Sequence, residues 1–199
     1  MPRVRALTKD DIVETAMLSF WQRGYEAMSM DMIVKVTRSN RHAIYADFGG
    51  KRRLFLACLD AYQDVVVTPA FAPVEAKNAG IEAIETYLKT QIERADKVGL
   101  PGPGCFMANT MTEVAPHDAE VMKRVRAHNQ RLQKGFLRVF ETMNRQSGLR
   151  NRRELSELAD FLVIAVQGLW SASRTVDAAE PLNRFAASLI YQIEGELNR

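Results

Sequence analysis

SMDMIVKVTRSNRHAIYADFGGKRRLFL, residues Ser29–Leu56, reads as a short helix, a tight turn, a second short helix and the start of a longer one. Met32, Ile33 and Val36 share one face of the first of these, because one, three and four residues separate them. Ser29 supplies a hydroxyl to cap that helix, and Asp31 puts negative charge in its first turn, where unpaired N–H groups are partly positive. After the turn at 37–39, Ile44 and Phe48 lie four apart, so one face of residues 40–48 can pack. The other face offers Asn40, Arg41, His42 and Tyr45, all able to bond phosphates or base edges. Gly49-Gly50 then gives the conformational break that ends a helix, and Lys51-Arg52-Arg53 opens the next. A helix-turn-helix with one buried side and a polar, basic second helix suits the DNA major groove.

Charge is distributed to match. Residues 1–53 carry ten Lys/Arg against six Asp/Glu, an excess of four, whereas the rest carries seventeen against eighteen. The positive balance therefore sits in the part expected to meet phosphate. Of the 199 residues 47% are hydrophobic, ample for a packed core. No uninterrupted apolar run approaches the roughly 18 residues of a spanning helix, and MPRVRALTKD has no apolar signal region, so no membrane partner is expected. Two cysteines, Cys58 and Cys105, make no disulfide framework and fit a reducing, cytoplasmic setting. His42, His117 and His128 fall in separate elements, and HExxH, P-loop and GxGxxG patterns are missing, so neither catalytic residues nor a metal or cofactor are expected.

Met1–Leu7, with Arg3 and Arg5, reads as a basic arm or an incidental terminus. A first helix over Thr8–Arg23 buries Ile12, Val13, Ala16, Met17 and Phe20, with Thr8 and Asp11 spaced as a capping box. Its Asp10, Asp11 and Glu14 are acids drawn to a helix start rather than a metal motif. A fourth helix over Lys51–Val67 buries Leu54, Phe55, Cys58, Leu59 and Tyr62, after which Pro69 and Pro73 predict a connector. A fifth spans 80–98 and ends at Leu100-Pro101-Gly102-Pro103-Gly104. The sixth runs from Cys105 to Pro116 and the seventh over 118–146, with Lys123, Arg124, Arg126, Arg131, Lys134 and Arg138 expected on a solvated face. The eighth and ninth, over 153–176 and 181–197, are apolar on more than one side and must bury both, inside the body or against another subunit.

Phe20, Gly24-Tyr25, Ile33, Ile44-Tyr45, Phe48, Lys51 and Leu54-Phe55 together resemble the N-terminal domain of the TetR/AcrR family of one-component transcriptional regulators. The resemblance implies an all-α chain: a three-helix DNA-binding head over 1–50, and a helical ligand-binding and dimerisation body over 51–199. It implies a cytoplasmic homodimeric repressor, released from a palindromic double-stranded DNA operator by a small-molecule inducer, largely apolar or electrophilic. Asn40–Asp47 would enter the major groove, with Asn40, Arg41 and His42 at base edges. Tyr45, Lys51 and Ser29 match positions that hold phosphates. The two heads would sit about one DNA turn apart, roughly 34–36 Å. The family's inducer cavity would be lined here by Tyr87, Gln91, Phe106, Met107, Met111, Phe136, Gln167 and Trp170. Cys105, in GCFMAN, resembles the thiol of electrophile-sensing members, and a helix start there favours thiolate; its other reading is a small apolar residue at a crowded helix start. The chain departs from the usual family pattern at Arg38-Ser39, where Gly-Val is common, and at His42, where a small residue is frequent.

Overall fold

Helix α1 (Lys9–Arg23) starts as a closed capping box. The Asp11 amide donates to the Thr8 hydroxyl at 3.1 Å, and the Thr8 amide donates to the Asp11 carboxylate at 2.8 Å. The structure, a computed structural model, describes residues 7–147 and 151–197, so the arm bearing Arg3 and Arg5 lies outside the described residues. Gly24, at φ +85°, ends α1. Helices α2 (Met30–Thr37) and α3 (Arg41–Phe48) follow, capped by Ser29 and Asn40, and joined through Arg38 in the left-handed region. Helix α4 (Lys51–Tyr62) lies along α1 and closes a small core of Ala16, Phe20, Ile33, Ile44, Leu54 and Phe55.

The expected connector at the two prolines is a helix instead. A π-helical stretch, Gln63–Val67, follows α4, and α5 (Thr68–Glu75) continues it, making the segment from Lys51 to Glu75 helical throughout. Two features accommodate the prolines. The wider π turn resets the hydrogen-bond register just before Pro69, and both Pro69 and Pro73 face water, where freed carbonyls can be hydrated.

The remaining helices are α6 (Ile81–Val98), α7 (Phe106–Glu113), α8 (Ala119–Ser147), α9 (Arg152–Ala172) and α10 (Glu180–Leu197), with a 3-10 turn at Ala115–His117. The architecture is all-α; among the described residues there is no strand. Helix α8 packs along α9, and α10 crosses α6 and α9. By length and hydropathy, the stretches Lys51–Glu75 and Arg153–Ala172 could each cross a membrane, although no continuous apolar run announces it. In the fold they turn apolar side chains such as Phe55, Leu59, Leu162 and Val166 into the core.

The basic face of α8 is not simply solvated. Arg124 donates to both carboxylate oxygens of Asp60 at 2.8 Å, and Arg131 to both of Glu75 at 2.7 Å, with a further bond to the Thr68 hydroxyl. These forked pairs fasten α8 to α4 and α5, and the Arg131 hydrogen bonds hold the Glu75 carboxyl below its ordinary pKa. Their guanidinium groups are committed within the fold and offer little to a second nucleic-acid surface.

Candidate nucleic-acid interface and its link to the body

On α3, Ile44 is fully buried while Asn40, Arg41, His42 and Tyr45 are exposed. The helix thus has one anchored side and one polar side. Asn40 has two duties, because its side chain accepts from the Ala43 amide at 2.8 Å as the N-cap. Arg41 reaches back to Asp31 on α2 at 2.7 Å; both side chains are exposed, so water screens the pair and leaves Arg41 free to exchange partners. His42 has an open face. Tyr45 is 52% exposed, with its ring edge 3.1 Å from the position a Cβ would take on Gly50, so it stands outside the core and lies along the α3–α4 corner.

Helix α4 begins at Gly50 with no side-chain cap, which leaves its first amides open beside Lys51, Arg52 and Arg53. An anion is favoured at such an end. Lys51 is half-buried, its ammonium 4.1 Å from the centroid of the Tyr25 ring. Ser29 caps α2 by accepting from the Met32 amide at 3.2 Å. All six residues singled out in the sequence as DNA contacts thus lie at the caps and outer faces of α2, α3 and α4.

The residues expected to line a cavity fall into two neighbouring clusters. Tyr87 and Trp170 meet edge to face at 6.5 Å, and Phe71, which sequence reasoning passed over as connector, bridges Tyr87 to Phe136 at 5.3 and 5.4 Å. Phe106 instead packs toward the head, 5.6 Å from both Phe55 and Tyr62, and Trp21 completes that cluster 5.0 Å from Tyr62. Met107 is buried nearby in α7, and Met111 is half-buried. Asn129 joins three helices, accepting from Gln167 at 3.0 Å and directing its own amide to the Met111 sulfur at 3.9 Å. A polar residue within the apolar stripe of α8 was the available signal for it. Gln91 Nε2 and Gln167 Oε1 are buried with no hydrogen-bond partner, which costs about 1–3 kcal/mol each.

Cys105 is the N-cap of α7 and is buried. Burial pushes its thiol up, outweighing the amides of Ala108 and Met107 and the Tyr62 hydroxyl, which pull it down. The helix start therefore exerts the expected attraction, but the protonated thiol wins. Tyr62 holds the site together, its hydroxyl 3.6 Å from the Cys105 sulfur and 3.4 Å from the donating Phe106 amide. Cys58 is fully buried, with its thiol far above the usual range. Among the described residues, no group of three or more His, Cys, Asp or Glu could hold a metal.

On α9 and α10, Phe161, Ile164, Phe185 and Tyr191 are exposed, and Phe161 and Tyr191 line a groove of 580 Å³.

Residues 12–58 match the family model for bacterial regulatory proteins of the tetR family, and residues 80–189 match the tetracyclin repressor-like C-terminal domain. The HTH-type transcriptional repressor ComR of Escherichia coli is 27% identical over 190 residues, spanning 94% of this chain and 90% of that protein. Among solved structures, a cysteine mutant of the TetR family regulator CifR, complexed with a 26-base-pair operator, superposes with a TM-score of 0.80 at 22% identity, covering 95% of this chain and 98% of that one. A TetR-family regulator from Streptomyces coelicolor gives 0.79 at 16% identity, with 96% of each chain covered.

Proposed function

Since this chain belongs to the TetR family of bacterial regulatory proteins and is a DNA-binding transcriptional regulator, we propose that it is a cytoplasmic homodimeric repressor whose operator affinity falls when an inducer enters the body. The observation that carries the reading is α3, where a buried Ile44 backs an exposed row of Asn40, Arg41, His42 and Tyr45. Asn40, Arg41 and His42 read base edges; Tyr45, Lys51 and Ser29 set register on phosphates. Residues 1–50 carry DNA binding, and residues 51–199 carry ligand binding and dimerisation. The apolar face of α9 and α10 supports a second copy as its cover, because Ile164 and Tyr191 are 72% and 78% exposed in the single chain.

The inducer is small and largely apolar. Tyr87, Phe106, Met107, Met111, Phe136 and Trp170 support this, and the unpaired amide atoms of Gln91 and Gln167 supply sparse polar contacts. Binding shifts the body toward an arrangement that moves α4 and separates the heads beyond one DNA turn. An electrophile acting on Cys105 is a less favoured inducer, since the thiol is buried and protonated.

Selection of binding sites from random duplexes with purified protein, followed by affinity against salt concentration, tests the reading. Enrichment of a palindrome with a steep salt slope is expected; salt-sensitive binding without enrichment would defeat sequence-specific regulation.

A further inference from the structure

Besides the Tyr62 hydroxyl that receives the Phe106 amide, three polar contacts tie α7 and its flanks to α1, α4 and the α1–α2 loop. At its start, the Trp21 indole N–H on α1 donates to the Gly104 carbonyl at 2.9 Å. Just beyond its end, Asp118 accepts from Arg52 on α4 at 2.5 and 2.8 Å while capping α8 at the Glu120 and Val121 amides. The third is the least expected from sequence. Glu113, the last residue of α7, accepts from two consecutive backbone amides of the α1–α2 loop, Tyr25 at 3.1 Å and Glu26 at 2.9 Å. Successive amides aimed at one carboxylate form a small anion nest, and the charge strengthens both bonds. Gly24 is what lets it close. A Cβ there would stand 2.9 and 3.0 Å from the two carboxylate oxygens, and φ is +85°.

The loop so held carries Tyr25, whose ring packs 4.7 Å from Phe55 and 6.0 Å from Phe20. The ring also receives the Lys51 ammonium, 4.1 Å from its centroid. A cation over an aromatic face is attracted to it, so the ring fixes where that charge points. We propose that Glu113 is a positioning residue for operator binding: through the Tyr25 backbone and ring it sets the place of the Lys51 ammonium, so that a shift of α7 alters a phosphate contact directly, beside any movement of α4. The inference rests on Lys51 being a phosphate contact, as proposed above. It gives α7, which also carries Met107 and Met111, a second path to the DNA. Glu113 has no DNA-facing role of its own, and a carboxylate there would repel phosphate rather than attract it.

The test is a double-mutant cycle on operator affinity, read as the slope of log affinity against log salt, using the full-length protein and the duplex obtained by selection. Lys51→Met should reduce the slope by about one, the loss of a single phosphate contact. Glu113→Gln removes the charge and turns an amide N–H toward one of the loop amides. It should weaken binding about three-fold and lower the slope in the same direction. The double variant should match Lys51→Met alone, because the carboxylate acts only through the lysine. A merely structural Glu113 would lower the unfolding midpoint with the slope intact and additive effects, which overturns the proposal. If Glu113→Gln does not fold, Tyr25→Leu keeps the apolar packing, removes the π face, and should give the same loss of slope. An unchanged slope for Lys51→Met sinks the phosphate role and the relay with it. A reduced slope for Lys51→Met beside an unchanged one for Glu113→Gln and Tyr25→Leu sinks the relay alone.

Discussion

Mild acid should loosen this protein through one side chain, His128 on α8. It is 5% exposed, and its Nδ1 lies 3.0 Å from Gln63 Nε2, which opens the π-helical stretch between α4 and α5. With the amide donating, Nδ1 is the accepting nitrogen of a neutral ring. Burial, and then the charge of Arg131, lower its pKa from 6.5 to about 4. Above pH 6.5 the ring is neutral folded or unfolded and contributes nothing to the balance. Below it, the unfolded chain takes up a proton that the folded one refuses, so stability is lost as pH falls from 6.5 towards 4. At about 1.36 kcal/mol per unit, the loss is about 2 kcal/mol by pH 5 and about 3 kcal/mol by pH 4. Urea unfolding at pH 7 and pH 5, at fixed protein concentration, measures it. His128→Asn retains an acceptor for Gln63 but cannot be protonated, and it should lose about 2 kcal/mol less between those two pH values than the wild type. Equal losses in the two proteins would show that His128 is not the group being titrated.

Three further outcomes follow from named contacts. Asp118 is held down to about 2, first by the Arg52 hydrogen bonds and then by the Val121 and Glu120 amides. Its contribution is complete above the ordinary value of 3.8 and lost as pH falls through 2, so Asp118→Asn should flatten the stability profile between pH 4 and 2, as read by circular dichroism; an unchanged profile would discount the pair. Gly135→Ala should destabilise the fold by about 1–3 kcal/mol despite alanine's helix preference of about 1 kcal/mol. The new Cβ would stand 2.5 Å from the Phe71 ring, which Tyr87 and Phe136 prevent from yielding; an unchanged or higher melting temperature would contradict this packing. Ile164→Glu should convert dimer to monomer in sedimentation with helicity intact, since the side chain is 72% exposed in the single chain; an intact dimer would place the subunit contact elsewhere.

The head was readable because its determinants are local. Caps at Thr8 and Ser29, and the apolar spacing of Ile33, Ile44 and Phe48, act within a few residues, and the helices begin and pack where those signals lie. The exposed residues of α3 follow from the same periodicity. Reading failed where long-range packing outweighed a local rule. Pro69 and Pro73 are helix breakers by propensity, yet a π turn and a solvent-facing position keep the helix running. Arg124 and Arg131 look like surface charge until Asp60 and Glu75 are brought opposite them.

Cys105 shows the same division. Its place at a helix start was legible, but the burial that pushes its thiol up exists only in the packed fold, where even the Tyr62 hydroxyl, forty-three residues away in sequence, pulls the other way and is outweighed. Glu113 gave no signal at all, since its partners are backbone amides eighty-seven and eighty-eight residues distant and backbone amides carry no residue identity. The sequence by itself determined the helices outside the stretch at Pro69 and Pro73, the helix-turn-helix and the face that α3 presents, because capping and periodicity are properties of neighbouring residues. Only the tertiary structure decided which charges are paired, which polar atoms are left unpaired and how α7 is fastened to the head. Those depend on desolvation and on distances between helices far apart in the chain.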